Sequence, residues 1–524
     1  MQVDFSPSGP YGLWTTVYIP GVRFTVGPYS HHAIGGPEQA TIRAEAGPEN
    51  LLDLAELAGC HVRIYNDAGD LVWWGIVAQI TIPYYALTIN VDIEKMFNRV
   101  AVAYTTVASG ESTTGERATT AWVEDTDSIT LFGKRELLHT IGGTTAANAA
   151  QKRDKKLLNV KYPQAKPQKR REGNESLEAT LTCCGYWKTM EWLYCNVPAQ
   201  LAFAYEKIGV TEYYLGRDYN DDTLNTSALA QVFDTGPAAW NALEFEVYVK
   251  KVGNPPEDLE VAICENPDDL EPGSDLVSAS TAPVNVSTSY GWVRLTASGA
   301  YSLTANATYF YKVSTAGMNA DNYYVLMLDG TQGYPGGALR REAWDGGAWS
   351  TLIADMPMRL YTNNIIENSQ QIRNILTMHG QFFTRVHVDD ASGISSESYR
   401  NGDSDALTET IALMETGTTD DDRLLAEVDR NRAVRVYAMP DTSIYLTVDK
   451  QGRFYEGQAR VDDSLCPVAQ WVRTADAISP SVDTLRLSGL DIFFLERSEY
   501  DPATKTLNWD ALGEDDLFDM LGGE

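Results

Sequence analysis

Histidines, cysteines and acids are the side chains here with catalytic reach, and their spacing gathers none of them into a known constellation. The chain has six histidines and six cysteines. His31 and His32 sit in a Ser-, Gly- and Pro-rich loop. His61 and His387 lie in strand-like runs, and His139 and His379 at segment ends. None has an i, i+4 partner suited to a metal, and no HExxH motif occurs. A GxSxG elbow and a P-loop are also absent. Cys60, Cys183, Cys184, Cys195, Cys264 and Cys466 lack metal-ligand spacing, and the adjacent Cys183 and Cys184 would point to opposite faces of a strand. Reduced, buried thiols are the expectation. A glycosidase needs only two carboxylates that meet in space, and 72 acids without a motif do not single out a pair. The chain therefore reads as a non-enzyme with no cofactor and no metal.

The most metal-like string is 217–222 (RDYNDD), where Asp218, Asp221 and Asp222 offer hard oxygens suited to calcium, followed by 401–405 (NGDSD). Neither has the full spacing of an EF-hand loop, so the choice lies between a solvated acidic loop and a calcium site. Aromatic side chains are more suggestive. Trp240, Tyr334, Trp344 and Trp349 fall on turns or strand ends, whereas Trp292 reads as core. Sugar rings stack flat C–H faces on exposed indoles, which makes the first four candidates for glycan contact. The segment 152–171 holds nine of the 41 basic residues and one acid, Asp154. Within it Lys152, Arg153, Lys155, Lys156, Lys169, Arg170 and Arg171 are candidates for contact with an acidic partner, against the plainer reading of a solvated helix end. Residues 509–520 are acidic, with Trp509 and Phe518 among their apolar members, and suit a docked helix or a motif read by a partner.

Several domains are expected of 524 residues. With 44% hydrophobic and 22% charged residues the chain is of globular type, and no apolar run nears the ~20 residues of a membrane span. The first residues carry no secretory pattern, so folding in the cytoplasm is expected. A net charge of −31 argues against binding duplex DNA, which needs Lys and Arg on phosphates.

The elements that must position these residues are mainly β with α+β parts. Residues 201–362 read as an inserted, jelly-roll-like β-sandwich, with strands expected at 243–250, 259–264, 291–295, 308–314, 323–328 and 356–362 between Gly- and Pro-rich turns. Residues 1–104 suggest a barrel containing one helix at 50–58, capped by Asn50. A 13–19/22–26 hairpin should open it. A second region follows at 105–200, with a Thr-capped helix over 144–158. Residues 363–434 read as helical, with helices at 363–378, 406–414 and 420–431, and Gly380 placed to stop the first. Strands return over 435–500, and 501–524 form an acidic tail.

The run 123–158 (VEDTDSITLFGKRELLHTIGGTTAANAAQKRDKKLL) resembles the tail-hub proteins of long-tailed bacteriophages, as does 406–437, which ends in RLLAEVDRNRAVRVY. The insertion is similar to the carbohydrate-binding-like sandwiches that such phages attach to tail-tip proteins. The resemblance implies two hub-type barrels per chain and a homotrimer forming a pseudo-sixfold ring on the tail tube. The tube's distal tail protein, the tape-measure protein and other tail-tip proteins would be its neighbours. It also implies assembly in the host cytoplasm, a place in the virion, DNA passing through without sequence-specific binding, and possible contact with host-surface polysaccharide. The acidic charge would keep DNA off the wall of the ring. Because the sequence ends at Glu524, wall digestion and fibre-type receptor binding are expected of other proteins. A free carbohydrate-binding protein or glycoside hydrolase is the alternative from another class, and the hub of an injection or gene-transfer particle is a third.

Overall fold

The computed structural model of the chain describes residues 1–7, 9, 14, 21–107, 115–169, 178–198, 200–219, 225–317, 319–330, 339–343, 349–362, 366–388, 393–396, 400–416, 424–438, 444–448, 454–456, 459–460, 477–480 and 493–511. Among the described residues strands account for 54% and helices for 16%, so the fold is mainly β, with curled half-barrel sheets, as the short punctuated segments require. Two compact units are present, and each is built from separated stretches of sequence.

The first unit comprises Met1–Tyr194, Leu425–Asn431 and Met439–Glu524. Its large sheet sets strands from both ends of the chain side by side. Arg23–His32 pairs with Gly36–Glu45 on one edge and with Phe493–Asp501 on the other, where Tyr29 lies opposite Tyr500. Strand Leu71–Tyr84 is the spine, because its LVWWGIV run is apolar on both faces. Trp73, Val77, Ile80 and Ile82 are fully buried. Gly75 is required within it: a Cβ there would strike the Cys184 carbonyl oxygen and the Trp73 ring.

The expected helix at 50–58 begins earlier, as Pro48–Leu52 followed by a 3-10 turn over Asp53–Leu57. Asn50 is thus inside the helix rather than its cap, since proline suits a first turn where its missing N–H would be unbonded anyway. Leu51, Leu54 and Leu57 are buried as the stripe implied. Helix Ala146–Val160 is capped by Thr145, whose hydroxyl accepts from the Asn148 N–H at 3.3 Å. The expected helix over 420–431 is corrected: Leu424–Val428 is a strand. Its Ala426 carbonyl accepts from the Gly35 N–H at 2.7 Å, a distant partner that holds it extended. The 13–19 half of the N-terminal hairpin lies outside the described residues apart from Trp14.

The second unit comprises Cys195–Leu424 and Arg432–Ala438. It contains a sandwich of two six-stranded sheets drawn wholly from strands between 201 and 361. In one sheet Trp240–Val252 is central. Gly291–Leu303 runs along one edge, and Met358–Tyr361 and Tyr323–Leu328 pair with successive lengths of the other. Period-two alternation sends Phe245, Val247 and Val249 inward to meet Leu229, Val261, Ile263, Tyr311 and Val313 from the facing sheet in one core. The first and last strands of the insertion, Leu201–Tyr205 and Met358–Tyr361, pair with each other, so its ends emerge together.

The unit is wider than 201–362. Helix Asn368–His379 is fastened to the first sandwich strand. Gln370 Nε2 donates to the Ala202 carbonyl at 2.9 Å, and Asn374 Nδ2 to the carbonyls of Leu201 and Ala202 at 3.1 Å each. Gly380 ends that helix, its N–H donating to Leu376 O at 2.8 Å.

Candidate functional site

The outward face of the Trp240–Val252 sheet gathers aromatic rings, cations and carboxylates in one place. Inward burial of Phe245, Val247 and Val249 leaves Glu244, Glu246, Tyr248 and Lys250 facing out. Register then fixes their neighbours. Thr296 lies opposite Glu244, Arg294 opposite Glu246, and Trp292 opposite Tyr248. On the other side Arg359 lies opposite Glu246 and Tyr361 opposite Glu244.

Rings and charges interleave across this face. Tyr248 stacks on Tyr290 with centroids 5.8 Å apart and planes 10° apart, and meets Trp292 edge-on at 5.5 Å. Lys250 Nζ lies 4.2 Å over the Tyr290 ring, Arg359 4.2 Å over Trp292, and Arg294 4.0 Å over Tyr361. Between the rings and cations the carboxylates are tied down. Lys250 and Tyr290 donate to Glu212 at 2.7 and 2.8 Å. Arg359 and Tyr361 donate to Glu246 at 2.9 and 2.7 Å. Arg359 also pairs with Glu206, and Arg294 with Glu244.

The titration shifts follow from these contacts. The hydrogen bond from Lys250, then that from Tyr290, holds Glu212 below the usual carboxylate range. Burial, then the Glu212 hydrogen bond, pushes the Tyr290 phenol up. Burial alone would lower Arg359, but Glu206 and Glu246 outweigh it and raise its affinity for the proton. Each carboxylate keeps spare lone pairs after its ion pair. The face thus offers flat rings for C–H surfaces, carboxylates for hydroxyl donors and guanidinium edges for hydroxyl oxygens. Glu212 itself is a poor proton donor to a leaving group, because a general acid needs a raised pKa and Glu212 is shifted the other way.

No family model matches this sequence, and no curated protein matches it either. Among solved structures the likeness is slight. A glycoside hydrolase family 43 arabinoxylan arabinofuranohydrolase from Bacillus subtilis is 9% identical with a TM-score of 0.12, over 55% of this chain and 63% of that one. The Cry4Aa toxin from Bacillus thuringiensis is 8% identical with a TM-score of 0.17, over 66% of this chain and 54% of that one. The chain thus spans less than two thirds of either. VP2 of infectious bursal disease virus is 7% identical with a TM-score of 0.14, over 66% of this chain and 73% of that one. Overlaps this low carry neither fold nor function across.

The aromatic candidates are redistributed by the structure. Trp240 is corrected to core: it is 4% exposed, with Nε1 donating to the Thr235 carbonyl at 3.1 Å. Trp292, read as core, is a half-buried ring on the outward face. Trp349 is partly buried against Ala230, Val232, Ala262, Cys264 and Phe310 on the other sheet. Tyr334 and Trp344 lie outside the described residues. Tyr248 and Tyr290 went unread, although the outward alternation of LEFEVYVK already marked Tyr248.

Asp218 is half-buried, its backbone N–H donating to Asn319 O at 3.3 Å. Asp221 and Asp222 lie outside the described residues, and among those described no three His, Cys, Asp or Glu side chains converge as a metal site. Lys152 and Lys155 are exposed on helix Ala146–Val160, with Lys156 half-buried. Arg153 turns back to the Ala121 carbonyl at 3.0 Å and to Asp154. Lys169 ends the exposed strand Gln164–Lys169, where Lys and Pro are typical guards of a sheet edge. Arg170, Arg171 and Phe518 lie outside the described residues. Trp509 sits in strand Thr506–Ala511 opposite Ser498, which corrects a helix starting there.

Proposed function

We propose that this chain is a non-enzymatic structural hub protein of a phage tail tip, with a sandwich that contacts host-surface glycan through the Tyr248, Tyr290 and Trp292 face. The observation that carries the glycan part is the row of rings held by cations and carboxylates on that face, a chemistry matched to a polyhydroxylated surface. The hub part rests on the resemblance of 123–158 and 406–437. It is supported by the pairing of Arg23–His32 with Phe493–Asp501, which joins flanks lying on either side of the insertion. In this reading three chains form a ring at the end of the tail tube, beside the distal tail and tape-measure proteins. The acidic charge keeps passing DNA mobile within it.

Negative-stain electron microscopy of the purified chain, alone and with tail tubes, tests the hub. Threefold rings with three outer lobes are expected, and monomers under both conditions would overturn it. Retention on immobilised host polysaccharide tests the face. The same face would also serve a free carbohydrate-binding protein or glycosidase, and release of sugar from that polysaccharide by the full chain would turn the reading that way.

A further inference from the structure

A cleft on the second unit lies between strand Leu201–Tyr205, helix Asn368–His379 and strand Arg385–Val388. Its lining brings three cations, Lys207, Arg373 and Arg385, together with the rings of Phe203 and Phe383. In a chain of net charge −31 this is a local inversion of sign. Lys207 is the informative member. Its Nζ donates to the neutral carbonyl oxygen of Phe383 at 2.9 Å, and among the described residues no carboxylate pairs with it.

Burial pulls the Lys207 ammonium below its ordinary pKa. Asp329 offsets this in part, and Arg432 works in the same direction as burial. The Asp329 carboxylate is itself engaged by the Tyr205 hydroxyl at 2.7 Å. Arg373 is held at the rim by the Asp234 carbonyl at 2.8 Å, with the Asp234 carboxylate 3.6 Å away. Arg385 is exposed and makes no ion pair among the described residues. A desolvated ammonium bonded only to a carbonyl is costly unless an anion joins it.

The enclosed part of the cleft is small. The void is about 30 Å³, whereas one water needs ~10–15 Å³ by the same measure. That is room inside for a planar group of two or three heavy atoms, such as a carboxylate, with the rest of a ligand on the open side.

We propose that this cleft binds a carboxylate, carried on a ligand whose apolar body packs into the lining that Phe203 and Phe383 contribute to. The two carboxylate oxygens take the spare N–H donors of Lys207 and the guanidinium of Arg385, both charge-assisted bonds. The site is separate from the outward sheet face and does not depend on the hub reading.

Isothermal titration of the full chain with benzoate, its neutral counterpart benzamide, glucuronate and inorganic phosphate tests this. Benzoate should bind saturably and benzamide should not. Lys207→Met and Arg385→Ala should each weaken benzoate about tenfold, the low end for a charge-assisted hydrogen bond. Arg385 is exposed, so its variant keeps the test valid even if Lys207→Met misfolds. Equal binding of benzamide, no saturable binding of either carboxylate, or affinity untouched by Arg385→Ala would overturn the site. Phosphate binding as tightly as benzoate would overturn the choice of a carboxylate, and glucuronate binding more tightly would overturn the apolar body.

Discussion

Tyr248 and Tyr290 lie face to face, 5.8 Å between centroids, with the Lys250 ammonium 4.2 Å over the Tyr290 ring. Tyr290 directly precedes strand Gly291–Leu303, so the stack extends the aromatic row one step beyond the paired register. Both rings are half-buried, which leaves them surface for a ligand. Tyr248→Ala and Tyr290→Ala should therefore weaken retention on host polysaccharide about fivefold each, the scale of a lost ring contact of ~1 kcal/mol. Thermal unfolding should hardly move. Unchanged retention in the double variant would exclude this face as the contact.

Arg359 joins carboxylates on either side of its own strand, Glu206 just past Leu201–Tyr205 and Glu246 on Trp240–Val252, while covering Trp292. Arg359→Met leaves Glu206 and Glu246 without their shared cation. Breaking a buried pair from one side costs ~3–5 kcal/mol, and partial exposure of these side chains brings the expected loss to about 2 kcal/mol. Arg359→Lys should recover only part of it, because an ammonium cannot form the planar fork to two acids. Urea unfolding of the two variants against the parent measures the difference, and equal stability of all three would show the network to be idle.

Trp240 makes the opposite case to Tyr248. Fully packed in the sandwich core and bonded to Thr235 O, it should lose ~3–5 kcal/mol on Trp240→Ala. Trp240→Phe should lose less, since it gives up the indole hydrogen bond but keeps an aromatic ring. A Trp240→Ala chain as stable as the parent but impaired in glycan retention would return this residue to the surface role its position near a turn suggested.

These residues also show what the sequence made legible. Strands Leu259–Cys264, Thr308–Ser314 and Tyr323–Leu328 match the expected segments end to end, because compact β-rich runs bounded by turns announce themselves locally. Thr226–Asp234 was missed. Nearly all of it is buried on both faces, so it has no polar alternation to read. Leu424–Val428 looks helical behind its acidic triplet, but it pairs in a sheet with Ala433–Ala438 and bonds to Gly35, far away in sequence. The outward face depends on register between three strands, which local periodicity does not supply. Lys207 is similar: its isolation comes from the fold, not from its neighbours in sequence.

His31 supplies a pH test in the first unit. It is fully buried beside Tyr29 and Trp74, with ring centroids at 6.2 and 6.3 Å. Neither ring nitrogen is in hydrogen-bond geometry with a partner. Burial pulls its pKa down to about 3 from an ordinary 6.5, offset only in part by the nearby Val72 backbone. The folded chain therefore keeps His31 neutral where the unfolded chain has already bound a proton. Its contribution to stability is fully present above pH 6.5 and is lost as pH falls from 6.5 toward 3, by ~1.4 kcal/mol per pH unit. His31→Phe, similar in shape and unable to titrate, should flatten that slope between pH 6 and 4 while leaving stability near pH 8 little changed. Urea midpoints followed across this range decide the matter: parallel curves for parent and variant would mean that another group drives acid unfolding.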